Sequence, residues 1–297
     1  MTALLSQLKT WALRYYYRHV NRKAWEGSDI GQDVLVSNLL IPVDEDSQIA
    51  ARMYHGSPNC PLIVYFHGGG WVIGDLNTHD PFCRSLAAST QCTIMSLDYR
   101  LAPEHPFPTA HNDCLEATRW ILDHLNRLAP NNGHVVLAGD SAGGNLTACT
   151  VASLEDEPRI AGAIMIYPAI EHYMTGLPSY VEHAKTGPLT TPIMRWFMDT
   201  YLAATAPAET SAKTIFVSRR CDYRRFPRSL VVTAERDPLR DDGKRLGIVM
   251  RQAGVDIRYE HYDREAHGFA CSDGPTEGHQ HFIALVTEWL EPLTTAD

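Results

Sequence analysis

The sequence predicts an α/β fold: an eight-stranded, mostly parallel sheet with helices on both faces and a helical cap. Three observations predict it. Short apolar runs of strand length alternate with amphipathic segments of helix length, the pattern of βαβ units. One such run feeds Gly139-Asp140-Ser141-Ala142-Gly143-Gly144-Asn145, a Gly-x-Ser-x-Gly turn between a strand and a helix. The alternation is interrupted once, between Pro168 and Arg225, where no strand pattern occurs before the Ser229 run.

Taken in order, residues 2–24 place Leu4, Leu5, Leu8, Trp11, Ala12, Tyr15, Tyr16 and Val20 on one face of a helix. That spacing predicts a helix packed on the main body; its mixture of aromatic and basic residues leaves a membrane-surface helix as the alternative. Asp33–Pro42 and Gln48–Tyr54 flank the polar turn Asp44-Glu45-Asp46-Ser47 and predict an antiparallel hairpin. Leu62–Phe66 and Cys92–Leu97 read as buried strands, with a helix over Asn77–Thr90 between them and another over Phe107–Leu128 after them. His134–Ala138 is the strand before Ser141, and Leu146–Leu154 continues the helix behind it. Strands at Ile160–Tyr167, Ser229–Ala234 and Ile257–Tyr262 follow, with helices at Asp241–Ala253 and His279–Leu290.

The interruption holds a helix start at Thr190-Thr191-Pro192 and an amphipathic Ile193–Leu202 segment. An insertion leaving after the strand that follows the serine turn lies above the C-terminal edge of the sheet, where open α/β sheets bind ligands. The expected organisation is a cap contribution and first strand in 1–45, a catalytic domain in 46–169 and 216–297, and a helical cap insertion in 170–215.

A chain of 297 residues is long enough for one large α/β unit. A net charge of −9 argues against nucleic-acid binding, which requires a basic face. The local basic run from Arg219 through Arg220, Arg224 and Arg225 to Arg228 is expected to be a solvated or salt-bridged surface loop. Seven cysteines form an odd set with no Cys-x-x-Cys spacing, so reduced thiols in a cytoplasmic protein are expected. No apolar run approaches the ~18 residues a membrane span needs, and Lys9, Arg14 and Arg18 punctuate the N-terminus where a signal peptide would be apolar.

A serine hydroxyl becomes a useful nucleophile only when a base takes its proton and a third group orients that base. On a strand–Gly-x-Ser-x-Gly–helix framework the chain order is serine, acid, histidine. Ser141 is followed by Asp237, just past the Ser229–Ala234 strand, and by His267, just past the Ile257–Tyr262 strand, which puts all three at one edge of the sheet. Glu235 is a second carboxylate near Asp237 and competes with it for His267. His67-Gly68-Gly69-Gly70-Trp71, after the Leu62–Phe66 strand, can turn bare backbone N–H groups toward a developing oxyanion, and Ala142 supplies another. His279 and His281, two apart on a helix, point opposite ways and make no metal pair.

Together these stretches resemble the hormone-sensitive lipase family of α/β-hydrolases, and more closely its bacterial acetyl-esterase-type members. The matching residues are Tyr65–Gly74, Asp98-Tyr99-Arg100-Leu101-Ala102-Pro103-Glu104-His105-Pro106-Phe107-Pro108, Gly139–Asn145, Asp237–Asp241 and His267-Gly268-Phe269. The resemblance implies a triad of Ser141, Asp237 and His267, with oxyanion N–H groups from Gly69, Gly70 and Ala142. It further implies hydrolysis of short-chain acyl esters, acetyl to about hexanoyl, through an acyl-enzyme and with neither cofactor nor metal. His67 and the Asp98–Pro108 stretch are expected to brace the glycine loop, and Asp140 and Asn145 to orient the elbow. The chain departs from the family at Glu235, where a glycine is usual, and at Ala266. An amidase or deacetylase would use the same triad, whereas the family's non-catalytic receptors lack the histidine that stands here as His267. The expected partner is a small-molecule ester, and the sequence leaves a homodimer open.

Overall fold

The computed structural model describes residues 2–128, 132–185, 187–202 and 222–294. Eight strands form one sheet in the order β1 (Val36–Pro42), β2 (Gln48–Tyr54), β4 (Thr93–Leu97), β3 (Leu62–Phe66), β5 (Val135–Asp140), β6 (Ile160–Ile166), β7 (Arg228–Arg236), β8 (Ile257–Ala266). β1 and β2 form the expected hairpin, Val36 opposite Tyr54, closed by Val43 N–H donating to Ser47 O at 3.0 Å. β2 also runs antiparallel to β4, and every later pairing is parallel.

The strand sequences alternate between two cores, because successive side chains leave opposite faces of a sheet. Val64, Phe66, Leu97, Leu137 and Met165 pack against α3 (Thr109–Leu128), α4 (Ala142–Ser153) and α7 (Arg240–Gln252). Ile63, Tyr65, Val136, Ile164 and Val232 face α2 (Asp80–Thr90) and α8 (Glu277–Leu290) through Phe82, Phe282 and Trp289. Strands β3, β4 and β5 are buried along their whole length, as continuous apolar runs covered on both faces should be. Each fully buried side chain of Phe or Leu size contributes roughly 1.5–3 kcal/mol over its exposed state.

Several boundaries differ from the sequence expectation. α2 starts at Asp80 rather than Asn77, because Asn77 and Thr78 donate their N–H groups to Asp75 Oδ1 (both 2.8 Å) in a turn. α3 starts at Thr109 rather than Phe107, whose N–H is taken by Tyr201 O at 2.9 Å. β7 and β8 outrun their apolar segments and stay paired to Arg236 opposite Ala266. β8 is an edge strand without a buried residue, so its last residues carry no apolar signal. That last pairing puts the next residue of each strand, Asp237 and His267, side by side.

α1 (Thr2–Ala24) lies across the C-terminal edge of the sheet, and α5 (Pro178–Glu182) and α6 (Thr191–Leu202) occupy the interruption between β6 and β7. The rest of that interruption, residues 203–221, lies outside the described residues, and with it part of the expected cap, Arg219, Arg220 and Cys221. The other arginines of the basic run are engaged: Arg224 with Asp222 at 2.8 Å, Arg225 with Asp156, and Arg228 with its guanidinium carbon 5.3 Å from the Trp289 ring centroid. Cys60, Cys83, Cys92, Cys114, Cys149 and Cys271 are free and buried. Among the described residues no helix is long and apolar enough to cross a membrane.

Candidate active site

Ser141 sits where β5 ends and α4 begins, with φ 56° and ψ −116°. This is a backbone region that side-chain-bearing residues rarely adopt, so the turn is strained. Its neighbours explain why it can exist: a Cβ at Gly139 would collide with Gly143 O, and one at Gly143 with Phe66 O. Ser141 N–H donates to Ile166 O at 2.8 Å and fixes the turn to β6. The side chain is thereby turned toward His267, whose Nε2 lies 3.0 Å from Ser141 Oγ.

On its other side His267 Nδ1 lies 2.7 Å from Asp237 Oδ2. Asp237 is fully buried, and its Oδ1 accepts the Leu239 N–H at 2.8 Å, so the carboxylate opens the turn into α7 while it faces the imidazole. The Tyr167 ring packs on His267 with centroids 4.7 Å apart. Glu235 points elsewhere: it accepts from Arg240 Nη1 at 2.9 Å and lies 3.0 Å from His261 Nε2. The structure therefore brings Ser141, His267 and Asp237 together and leaves Glu235 outside the group.

The glycine loop after β3 is held open by its own backbone. Gly69 (φ 117°) and Gly70 (φ 60°) take conformations that favour glycine, and a Cβ on Gly70 would strike the Phe197 ring of α6. Val72 and Ile73 donate to Gly69 O at 3.1 and 2.9 Å, while the N–H groups of Gly69 and Gly70 meet no acceptor among the described residues. Ala142, as the first residue of α4, has no intrahelical acceptor for its N–H. All three line one cavity of about 520 Å³ with Ser141 and His267.

Several buried polar groups hold this loop against the elbow. Asp140 Oδ1 accepts from Gly68 N–H at 2.7 Å and from the Tyr65 hydroxyl at 2.6 Å. Burial works to raise the Asp140 pKa, yet His79 and the hydrogen bonds outweigh it and hold the carboxyl below its usual value. His67 stacks on Tyr99 at 4.3 Å with its Nδ1 2.7 Å from Gly68 O. Burial, with His79 beside it, lowers the His67 pKa to about 4, so it is neutral at pH 7 and braces the turn. Tyr99 donates to His67 O at 2.7 Å and Ala102 N–H to Trp71 O at 2.9 Å, so the Asp98–Pro108 stretch supports the loop from below. Asn145 reaches His111 Nε2 at 3.1 Å, and His111 Nδ1 reaches the Tyr201 hydroxyl of α6 at 2.6 Å.

One support has a testable cost. Burial, with Asp75 nearby, raises the Asp98 carboxyl to about 6 from 3.8. A carboxyl bound more tightly to its proton in the fold stabilises fully below the unfolded pKa and loses that contribution as pH rises through about 6. Asp98→Asn mimics the protonated acid, and should stabilise the protein by roughly 1 kcal/mol at pH 8 after discounting for partial exposure, with the gain vanishing near pH 4. Urea melts at the two pH values check this; an equal gain at both would sink it.

Sequence reasoning missed the groups that pin α1 over the cavity. Arg14 donates to Val72 O at 2.8 Å and Ala102 O at 2.9 Å, Arg18 pairs with Asp75, and the Tyr17 hydroxyl lies 3.3 Å from Ser272 Oγ. The helix packs on the body through Leu13 and Tyr17, whereas Trp11, Tyr15 and Tyr16 of the face that the periodicity marked are exposed, and periodicity carries no signal for partners this distant in sequence. His279 and His281 also separate: His279 is buried with its ring between Ser85 Oγ (2.9 Å) and Ala270 O (2.6 Å), and His281 is exposed.

Known proteins resemble this chain in sequence and in fold. A family model described as alpha/beta hydrolase fold matches residues 63–271. The chain is 35% identical over 214 residues to carboxylesterase NlhH of Mycobacterium tuberculosis, covering 71% of this chain and 67% of that protein. It is 35% identical over 233 residues to esterase LipI of the same species, covering 74% and 71% of the two chains. The structure of an esterase from Pyrobaculum calidifontis superposes with a TM-score of 0.85 at 32% identity, over 96% of this chain and 93% of that one. The thermophilic metagenomic carboxylesterase EstE1 superposes at 0.84 and 30% identity, over 95% and 98%. With its elbow, glycine loop and sheet in this arrangement, the chain belongs to the α/β-hydrolase fold family, among the hormone-sensitive-lipase-like carboxylic ester hydrolases.

Proposed function

We propose that this protein hydrolyses short-chain acyl esters, acetyl to about hexanoyl, through an acyl-enzyme on Ser141. The observation that carries the proposal is the Asp237–His267–Ser141 chain of contacts, 2.7 and 3.0 Å, opening into a cavity lined by unengaged N–H groups. Asp237 accepts a hydrogen bond from the Nδ1–H of His267, which leaves Nε2 free to take the Ser141 proton. The alkoxide attacks the ester carbonyl, and its oxygen becomes an anion facing the N–H groups of Gly69, Gly70 and Ala142, each such donor worth on the order of 3 kcal/mol. His267 then gives its proton to the departing alcohol, and water repeats the sequence to release the acid and regenerate Ser141.

The site residues and the cap belong to this reading. α1 and the described part of 170–215 act as the cap: Tyr17 and Val20 from one, Met194 and Phe197 from the other, line the cavity above Ser141. Its volume must hold acyl and alcohol parts together, which favours short acyl chains. Six buried free thiols support a reducing, cytoplasmic setting. The test is turnover of p-nitrophenyl esters from acetate to palmitate, with p-nitroacetanilide as the amide counterpart. The expected result is a maximum of kcat/KM between acetate and hexanoate and far slower amide cleavage. No ester turnover would overturn the proposal, and faster amide cleavage would replace it with an amidase.

A further inference from the structure

We propose that Asp273 is a specificity residue that selects esters whose alcohol part carries a positive charge. The inference rests on the reading of Ser141 and His267 given above, and deepens it by naming a substrate class.

Direction comes first. His267 must deliver its proton to the leaving oxygen, so the alcohol part lies on the His267 side of the cavity, away from Gly69 and Gly70. The segment that follows His267 turns back on itself, with Ser272 N–H donating to Gly268 O at 2.8 Å, and Gly268, Ser272 and Asp273 all line the cavity. The Tyr17 hydroxyl, 3.3 Å from Ser272 Oγ, ties α1 down beside this turn. Asp273 therefore stands where a departing alcohol is held.

Charge comes second. The cavity lining among the described residues contains no lysine or arginine. Its carboxylates are Asp140 and Asp273, and Asp140 is occupied by Gly68 N–H and the Tyr65 hydroxyl. Asp273 has no hydrogen bond or ion pair among the described residues; His267 and Arg236 act on it only electrostatically. Arg236 itself donates to Arg264 O at 2.9 Å, and Arg18, the cation of α1 nearest in sequence to Tyr17, is paired with Asp75. Asp273 is exposed yet lines the cavity, and the surrounding protein desolvates the carboxyl enough to raise its pKa above the usual value. A carboxylate left unpaired at the wall of an otherwise apolar, aromatic-lined cavity attracts a cation that reaches it and disfavours an anion. Tyr16 and Tyr17 belong to the same lining, and tyrosine rings suit a quaternary ammonium group.

The experiment uses two alcohols of one shape, choline and 3,3-dimethylbutan-1-ol, as inhibitors of p-nitrophenyl acetate turnover. The same comparison is made as substrates, with acetylcholine and 3,3-dimethylbutyl acetate. In the wild-type protein the charged member should be preferred by about three- to ten-fold, the scale of a partly exposed charge pair. In Asp273→Asn that ratio should fall to about one, and in Asp273→Lys it should invert. Because the readout is a ratio within each protein, general loss of activity in a variant does not obscure it. An equal ratio in wild type and Asp273→Asn, or no inhibition by either alcohol, overturns the proposal. Failure of the underlying reading looks different: the wild type would turn over no ester at all, while calorimetry would still report the choline preference.

Discussion

Ser141→Ala should lower kcat for p-nitrophenyl butyrate by about 10⁴- to 10⁶-fold, leaving only what substrate binding and oxyanion contacts supply. The size follows from what the hydroxyl does in this structure. Among the described residues its one side-chain partner is His267 Nε2 at 3.0 Å, so removing it deletes the proposed attacking atom and breaks no other side-chain hydrogen bond there. Alanine keeps the Cβ, and the backbone at φ 56° is no more strained for Ala than for Ser. The thermal midpoint should therefore stay close to wild type, which separates loss of chemistry from loss of fold. Activity within tenfold of wild type in a folded Ser141→Ala protein would remove Ser141 from the mechanism and move the search for a nucleophile elsewhere in the cavity.

The parts of the molecule legible in the sequence are those set by local rules. The β1–β2 hairpin, the buried runs of β3 to β6 and the glycine-flanked turn at Ser141 follow from period, turn chemistry and sterics within a few residues. The placement of Asp237 and His267 after strands was also legible, because each follows an apolar run. The register that pairs Arg236 with Ala266 was hidden, since Asp263 and Arg264 of β8 are polar and exposed and no residue of the strand is buried. Partners that meet only through tertiary packing were hidden as well. Arg14 on Ala102 O, Tyr17 on Ser272 and His111 between Asn145 and Tyr201 join residues whose proximity no local pattern encodes. These same contacts set how α1 and α6 sit over the site, so substrate preference was less legible than chemistry.

Asp237→Asn should lower kcat by about 10⁴-fold, whereas Glu235→Gln should change it by less than about threefold. The sequence offers both carboxylates, and burial and direction decide between them. Asp237 is 0% exposed at its side chain, so its charge acts on His267 without water to screen it. Glu235 is 41% exposed and already shared between Arg240 and His261. An asparagine at 237 keeps the shape of the site and can present its amide N–H₂ to Nδ1, which favours the imidazole tautomer with the proton on Nε2. That tautomer cannot accept the Ser141 proton, and the imidazolium formed during attack has lost its counter-charge. Glu235→Gln removes half of a partly exposed ion pair with Arg240, worth at most about 1 kcal/mol of stability, and leaves the 2.7 Å contact between Asp237 and His267 in place. Measured side by side, kcat for the two variants gives a direct ranking of the carboxylates. A larger loss at 235 than at 237 would mean that the working enzyme re-pairs His267 with the exposed carboxylate, which would require the turn opening α7 to release Asp237 from the Leu239 N–H.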